Sequence, residues 1–226
     1  MCKKVVVFDL DDTLYKEIDF LMSGYRKVSE FVEELYGLDS CHIYNQLISW
    51  YYDGENAFFR LNEQYGFENS IEDYLNVYRY HHPLLTLSDE TIKTLSVLKD
   101  KKTILGIITD GRKITQKQKI EALGLMKWIN WDSIYINEDS IHFKPNRWSF
   151  DRLMQHCFEQ NSGDDINFYY VGDNPEKDFL APNQLGWTTV CLIDNGRNIH
   201  EQKFDLLDVF LPQHRILKID ELTKLI

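Results

Sequence analysis

The chain has 226 residues, 43% of them hydrophobic and 14% aromatic, with 36 acidic against 25 basic side chains and a formal net charge of −11. That length holds one large domain or a main domain with a smaller one, and the apolar fraction supplies a core. The acidic balance argues against a nucleic-acid polymer or an anionic membrane as partner, because either surface needs clustered Lys and Arg. Cys2, Cys41, Cys157 and Cys191 are scattered, with no CxxC pair or metal-finger spacing, so reduced and mostly packed thiols are expected.

The first predicted element is a strand over residues 5–8, Val5-Val6-Val7-Phe8, which runs straight into Asp9-Leu10-Asp11-Asp12-Thr13-Leu14-Tyr15. Four consecutive apolar residues fit a strand buried on both faces of a parallel sheet. Its acidic end places charge at the carboxyl edge, where open α/β sheets bind ligands. Three carboxylates within four residues raise one another's pKa, so their clustering suggests a metal-assisted site. Asp9 stops the apolar run short of the ~7–15 residues of a signal-peptide core, and no stretch nears the ~18 apolar residues of a membrane span. A soluble, cytoplasmic protein is the expectation.

The second strand is predicted at 104–109, about 90 residues after the first, although a crossover needs far fewer. Residues 16–83 are expected to form an inserted helical subdomain. Within it Ile18, Leu21, Met22, Tyr25, Val28, Val32 and Leu35 fall on one helical face. Ser70 and Asp73 have the form of a cap and first turn for a helix over 71–80. The aromatics between Trp50 and Tyr80 read mainly as the small core of this insertion. Further strands are predicted at 133–136, 168–171 and 188–193. They alternate with helices over 112–123, from Pro145 through Cys157, and over 175–185, with Gly124 and Gly186 as caps. Strands alternating with helices define the class as α/β. The expected architecture is a doubly wound, Rossmann-like parallel sheet built from residues 1–15 and 84–226, carrying a smaller α-helical domain at 16–83.

Three later strand ends also carry polar groups. The second runs into Thr109-Asp110-Gly111-Arg112, a hydroxyl and a glycine whose N–H can approach an anion closely, although the same residues make an ordinary turn and helix start. Lys144, in the mostly apolar Ile141-His142-Phe143-Lys144-Pro145, reads as a positioned cation. The fourth strand ends Val171-Gly172-Asp173, with Asp178 more than a turn further on. One of Asp173 and Asp178 could reach a metal while the other supports it from behind, or Asp173 caps the helix expected from Pro175.

Asp9-x-Asp11-x-Thr13, Thr109, Lys144 and Gly172-Asp173-x-x-x-x-Asp178 resemble, in order and in strand-end position, the four motifs of the haloacid dehalogenase-like hydrolase superfamily. The insertion falls where members with a helical cap of the first type carry it. The resemblance implies a magnesium-dependent phosphatase in which Asp9 is the nucleophile and forms an aspartyl phosphate. It makes Asp11 the acid for the leaving alcohol and then the base for water, with Thr13 helping to hold Asp11. Magnesium would be bound by Asp9, by Asp11 through its backbone carbonyl and by Asp173, while Asp178 supports that shell or orients Lys144. Thr109, the N–H of Gly111 and Lys144 would grip the phosphoryl oxygens, with Arg112 as an extra contact. Dehalogenases of the superfamily lack a carboxylate at the place of Asp11, since a halide leaves without a proton, so Asp11 favours phosphoryl transfer. Asp110 is then a turn residue, and Asp12 faces solvent or caps the local turn. A helical lid suits a small phosphorylated metabolite such as a sugar phosphate, phosphoglycolate or a nucleotide, handled by a monomer or homodimer. A phosphomutase with the same nucleophile and a non-catalytic phospho-ligand-binding protein of the same fold are the alternatives.

Overall fold

In the computed structural model, which describes residues 3–161 and 165–226, the central strand β1 (Lys3–Phe8) is covered on both faces. Val5, Val6, Val7 and Phe8 are all fully buried, which is why their sequence shows no polar alternation. Cys2 lies outside the described residues. After β1 come four helices, α1 (Glu17–Tyr36), α2 (Ser40–Tyr52), α3 (Ala57–Tyr65) and α4 (Ile71–Tyr80), and then α5 (Asp89–Asp100). The remainder alternates: β2 (Ile104–Asp110), α6 (Lys113–Ala122), β3 (Ile134–Asn137), α7 (Trp148–Gln160), β4 (Ile166–Gly172), α8 (Leu180–Gln184), β5 (Thr188–Leu192), β6 (His214–Ile216) and α9 (Leu222–Leu225). The chain divides into two compact units, one of residues up to Glu17 with Thr86–Ile226 and the other Ile18–Leu85. Among the described residues no helix is long and apolar enough to cross a membrane.

The six strands are parallel and lie in the order β3-β2-β1-β4-β5-β6, with Val5 opposite both Ile104 and Phe168. The order reverses beside β1, so the chain leaves the carboxyl ends of β1 and β4 towards opposite edges and opens a crevice between them. One face of the sheet is packed by Phe150, Leu153, Phe168, Tyr170 and Trp187, with the Phe150 ring edge-on to Tyr170 at 5.0 Å and to Trp187 at 5.6 Å. Burying each such ring contributes about 1.5–3 kcal/mol. The strand ends therefore sit on a rigid floor.

Several elements differ from expectation for local reasons. The helix expected over 175–185 is reduced to α8, because residues 175–178 form a turn in which the Asn174 carbonyl accepts the N–H of Asp178 at 2.9 Å. Pro145 does not open α7. It lies in a turn closed by Asn146 N–H to the Phe143 carbonyl, and the side chain of Asn146 accepts from Trp148 N–H at 2.9 Å instead. Leu35 is 52% exposed, so the inner face of α1 ends before it. Neither α5 nor β6 is among the expected elements. β6 is only three residues long and presents the polar His214 and Arg215, so its pairing with β5 is a product of tertiary structure.

In the helical unit, Ser70 and Asp73 form the reciprocal capping box that their spacing suggests, with Asp73 N–H to Ser70 Oγ at 3.2 Å and Ser70 N–H to Asp73 Oδ2 at 2.9 Å. The unit's core is aromatic. Tyr78 meets Phe20 edge-on at 5.5 Å and lies 6.1 Å from Tyr25 and 6.2 Å from Phe58. Gly24 makes this possible, since a Cβ there would lie 2.3 Å from Tyr78 Cδ2. Gly24→Ala would gain about 1 kcal/mol of helix propensity. With Tyr78 hemmed in on three sides, overpacking costs about 1–3 kcal/mol and outweighs that gain. Net loss of stability in urea denaturation is expected, and a variant more stable than the wild type would refute this account of the core.

Candidate active site

Lys144 is the centre of the crevice. Its side chain is wholly buried, and its ammonium donates to Asp9 Oδ1 at 2.8 Å, to Asp178 Oδ1 at 2.7 Å and to the Tyr170 hydroxyl at 3.0 Å. The loop after β3 delivers it: both oxygens of Asp110 accept the Lys144 backbone N–H at 3.2 Å, while Asn137 Nδ2 donates to Asp110 Oδ1 at 2.8 Å. Ser149 in turn donates to Asn137 Oδ1. Asp110 is thus the turn residue expected, with a defined task. Asp9 extends β1, its N–H bonded to the Val171 carbonyl of β4 at 2.8 Å. Burial pushes its carboxyl up to about 6 against the pull of Lys144. Burial opposes the ammonium of Lys144 as well, yet Asp178 and Asp9 hold its pKa well above the ordinary lysine value.

Asp178 is saturated. Besides Lys144, it accepts the backbone N–H groups of Asp173 at 3.1 Å and Asn174 at 2.8 Å on Oδ2. Although burial raises its pKa, Lys144, Lys177 and these bonds together hold it below the usual value. Lys177 offsets only part of the effect at Asp173, and burial followed by the charges of Asp178 and Asp9 pushes that carboxyl up to about 9. Its oxygens accept instead from Thr13 Oγ1 at 3.4 Å and Asn198 Nδ2 at 2.9 Å. The expectation that Thr13 holds Asp11 is therefore corrected: the turn closed by Leu14 N–H on the Leu10 carbonyl carries the hydroxyl to Asp173.

Asp9, Asp173 and Asp178 each place an oxygen within 4.8 Å of the others, and all three are buried. Such a set fits a divalent cation, because the donors are hard carboxylate oxygens gathered in one buried cluster. Asp178 is held by an ammonium and two backbone N–H groups, whereas Asp173 meets only neutral side-chain donors, so Asp9 and Asp173 are the side chains placed to bind. Asp11, expected to bind the metal through its backbone carbonyl, has its carboxylate outside this cluster.

Asp11 instead occupies a second pocket of charge. Tyr15 Oη at 2.5 Å and Lys119 Nζ at 2.7 Å donate to its Oδ1, and Gln116 Nε2 donates to Oδ2 at 2.8 Å. Burial raises its pKa, but Lys119 with the bonds from Lys119, Tyr15 and Gln116 outweighs burial and holds Asp11 below the ordinary carboxylate range. Lys119 also approaches Glu17 Oε1 at 3.4 Å, and burial with the neighbouring Asp11 pushes Glu17 up to about 7. Thr109 is buried at the end of β2 and accepts from Gln116 Nε2 at 2.6 Å.

Two further expectations, for Gly111 and for a solvated Asp12, are corrected. The Gly111 N–H is not free for an anion, because it donates to the Asn137 carbonyl at 2.8 Å as the β2–β3 ladder runs on. Its place needs glycine for another reason: φ is +137°, and a Cβ would press on Gln116 at 3.3 Å. Arg112 is exposed at the residue before α6. Asp12 is buried rather than solvated, and it accepts the N–H groups of Glu17 at 2.9 Å and Ile199 at 3.0 Å.

Sequence reasoning missed Gln116, Lys119 and Asn198. The first two had a visible signal, since Gln116, Lys119, Ile120 and Leu123 follow an i, i+3, i+4, i+7 pattern and form one buried face, half of it polar. Asn198 had none, because its loop reaches Asp173 only through the fold.

Fold and site together define an α/β enzyme with an aspartate-centred site at the switch point of its sheet. The chain belongs to the haloacid dehalogenase-like hydrolase family, which it matches over residues 6–192. It is 29% identical over 213 residues to the glyceraldehyde 3-phosphate phosphatase of Methanocaldococcus jannaschii, covering 84% of this chain and 85% of that one. Among solved structures it is similar to a HAD phosphatase from Thermococcus onnurineus, with 20% identity, a TM-score of 0.59 and 98% and 97% of the two chains covered. It also resembles a HAD-hydrolase from Bacillus subtilis bound to magnesium, with 18% identity, a TM-score of 0.61 and 100% and 99% covered.

Gly172 is the last residue of β4, directly before Asp173, and a Cβ there would lie 2.5 Å from Asp178 Oδ2 and 2.8 Å from its Cγ. Gly172→Ala must therefore displace Asp178 from Lys144. A loss of about 1–3 kcal/mol is expected in urea denaturation of the metal-free protein; an unchanged midpoint would contradict the tight return of Asp178.

Proposed function

We propose that the protein is a magnesium-dependent phosphatase that hydrolyses a small phosphorylated metabolite through an aspartyl phosphate on Asp9. The observation that carries this reading is the division of the strand-end carboxylates into two environments. Asp9 lies beside Lys144, Asp173 and Asp178, while Asp11 is held apart by Lys119, Gln116 and Tyr15.

Asp9 and Asp173, with the backbone carbonyl of Asp11, would hold the magnesium ion, which supplies positive charge that offsets the phosphoryl group and the carboxylates around it. An Asp9 oxygen attacks phosphorus, the bond to the leaving oxygen breaks, and Asp11 delivers the proton that the departing alcohol takes up. Asp11 then removes a proton from water, whose oxygen attacks the aspartyl phosphate and releases inorganic phosphate. Its lowered resting pKa keeps Asp11 ionised, the form that can accept the proton of water. The acid role needs a proton, and the negative charge of a bound phosphate ester raises the Asp11 carboxyl in opposition to Lys119. Lys144 and the Thr109 hydroxyl neutralise charge on the phosphoryl oxygens.

The helical unit, inserted after the Asp9 loop, is proposed as the cap that reads the leaving group. The curated relative acts on glyceraldehyde 3-phosphate, which makes triose phosphates, with sugar phosphates, phosphoglycolate and nucleoside monophosphates, the compounds to screen. A cytoplasmic location belongs to the same proposal, and the free thiols of Cys41, Cys157 and Cys191 suit a reducing compartment.

Release of inorganic phosphate from 4-nitrophenyl phosphate with magnesium, its loss on chelation and its abolition in Asp9→Asn are the expected results. Wild-type turnover in Asp9→Asn would remove the nucleophile. Asp11→Asn should lose about 10²–10⁴-fold on alkyl phosphates and much less on aryl phosphates with good leaving groups; equal losses on both would exclude the acid role.

A further inference from the structure

Gln116 and Lys119 lie three residues apart on α6, and both are buried, at 1% and 3% exposure. Neither has a place in the reaction as written above. A helix that only packs on a sheet has no use for a buried amide and a buried ammonium at its inner face, where each is costly to desolvate.

The partners of Gln116 settle its orientation. Its Nε2 lies 2.8 Å from Asp11 Oδ2, 2.6 Å from Thr109 Oγ1 and 3.2 Å from the Asp110 carbonyl. An ionised carboxylate and a backbone carbonyl can only accept, so the atom facing them is the NH₂ group and not the amide oxygen. The Thr109 hydroxyl therefore accepts from Gln116, and its own proton remains for another acceptor. The opposite amide orientation would draw that proton towards Gln116. Lys119, with Tyr15, holds the other oxygen of Asp11, and its second contact, Glu17, is the first residue of α1.

We propose that Gln116 and Lys119 are positioning residues with separable tasks: Gln116 sets the Thr109 hydroxyl as a donor to the phosphoryl group, and Lys119 fixes the Asp11 carboxylate for proton transfer with the leaving group. Gly111 belongs to this device, because it leaves the space into which the Gln116 side chain folds. The proposal rests on the phosphatase reading and adds to it two residues that bind neither substrate nor metal.

The test uses the full chain with magnesium, inorganic phosphate as inhibitor, and paired aryl and alkyl phosphates as substrates. Gln116→Met keeps length and loses the donor, so it should weaken inhibition by phosphate about tenfold, the worth of one hydrogen bond to a buried partner. In a Thr109→Val background the same change should shift phosphate inhibition by less than about twofold, because the group through which Gln116 acts is gone. Lys119→Met should leave phosphate inhibition nearly unchanged, yet lower kcat about tenfold more for the alkyl than for the aryl substrate. Gln116→Leu, uncharged and without a donor, supplies a second variant with the same expected loss of phosphate inhibition should Gln116→Met fail to fold. Unchanged phosphate inhibition in the Gln116 variants, the same shift with and without Thr109, or equal kcat losses on both substrates in Lys119→Met would overturn the proposal. Asp9→Asn, assayed alongside, separates the two levels. If it is inactive while the α6 variants behave as wild type, only this inference fails; if it is fully active, the phosphatase reading fails.

Discussion

A single buried ammonium, that of Lys144, organises the strand ends. It lies between Asp9 and Asp178 at 2.8 and 2.7 Å with no solvent access, and it opposes the burial that raises the pKa of both carboxylates. Desolvating such a group costs several kcal/mol, and only close pairing with further hydrogen bonds offsets the loss. Those bonds are present: Tyr170 for Lys144, two backbone N–H groups for Asp178, and the β1–β4 ladder for the backbone of Asp9. The sequence positions that look like turn chemistry, Asp110 and Gly172, exist to deliver the two sides of this pairing.

The sheet topology then decides how charge is distributed. β1 is flanked by β2 and β4, so Asp9 faces the β4 loop with Asp173 and Asp178, whereas Asp11, two residues further on, meets α6, the helix that follows β2. Two carboxylates that are near neighbours in sequence are pushed in opposite directions, Asp9 upward by burial and Asp11 downward by Lys119 and its hydrogen bonds. Separate environments of this kind are what the proposed division into a nucleophile and a proton carrier on one chain segment requires.

Much of this was legible in the residues. An unbroken apolar run identified β1, apolar runs ending in Thr109, Gly172 and Asp173 located other strand ends, and the resemblance to the superfamily's motifs pointed to Asp9, Lys144 and Asp178 together. What escaped depended on where a side chain turns. Thr13 serves Asp173 rather than Asp11, Gly111 gives room to Gln116 rather than an N–H to an anion, and Asp12 ties the start of α1 to the loop at Ile199. The short β6 and the truncated α8 escaped for the same reason. Their local sequences are compatible with several conformations, and neighbouring elements choose among them.

By itself, the sequence determined the α/β class, the helical insertion between the first two strands and the acidic and basic residues at the strand ends. These follow from apolar periodicity and from the few residue types able to carry such charge, both of which are local properties of a chain. Only the tertiary structure decided which charges meet. The strand order brings Lys144 to Asp9 across more than a hundred residues, and the crossover through α6 brings Lys119 to Asp11. Ionisation depends on burial and on distances of a few ångströms, and both come into being only when distant segments pack together.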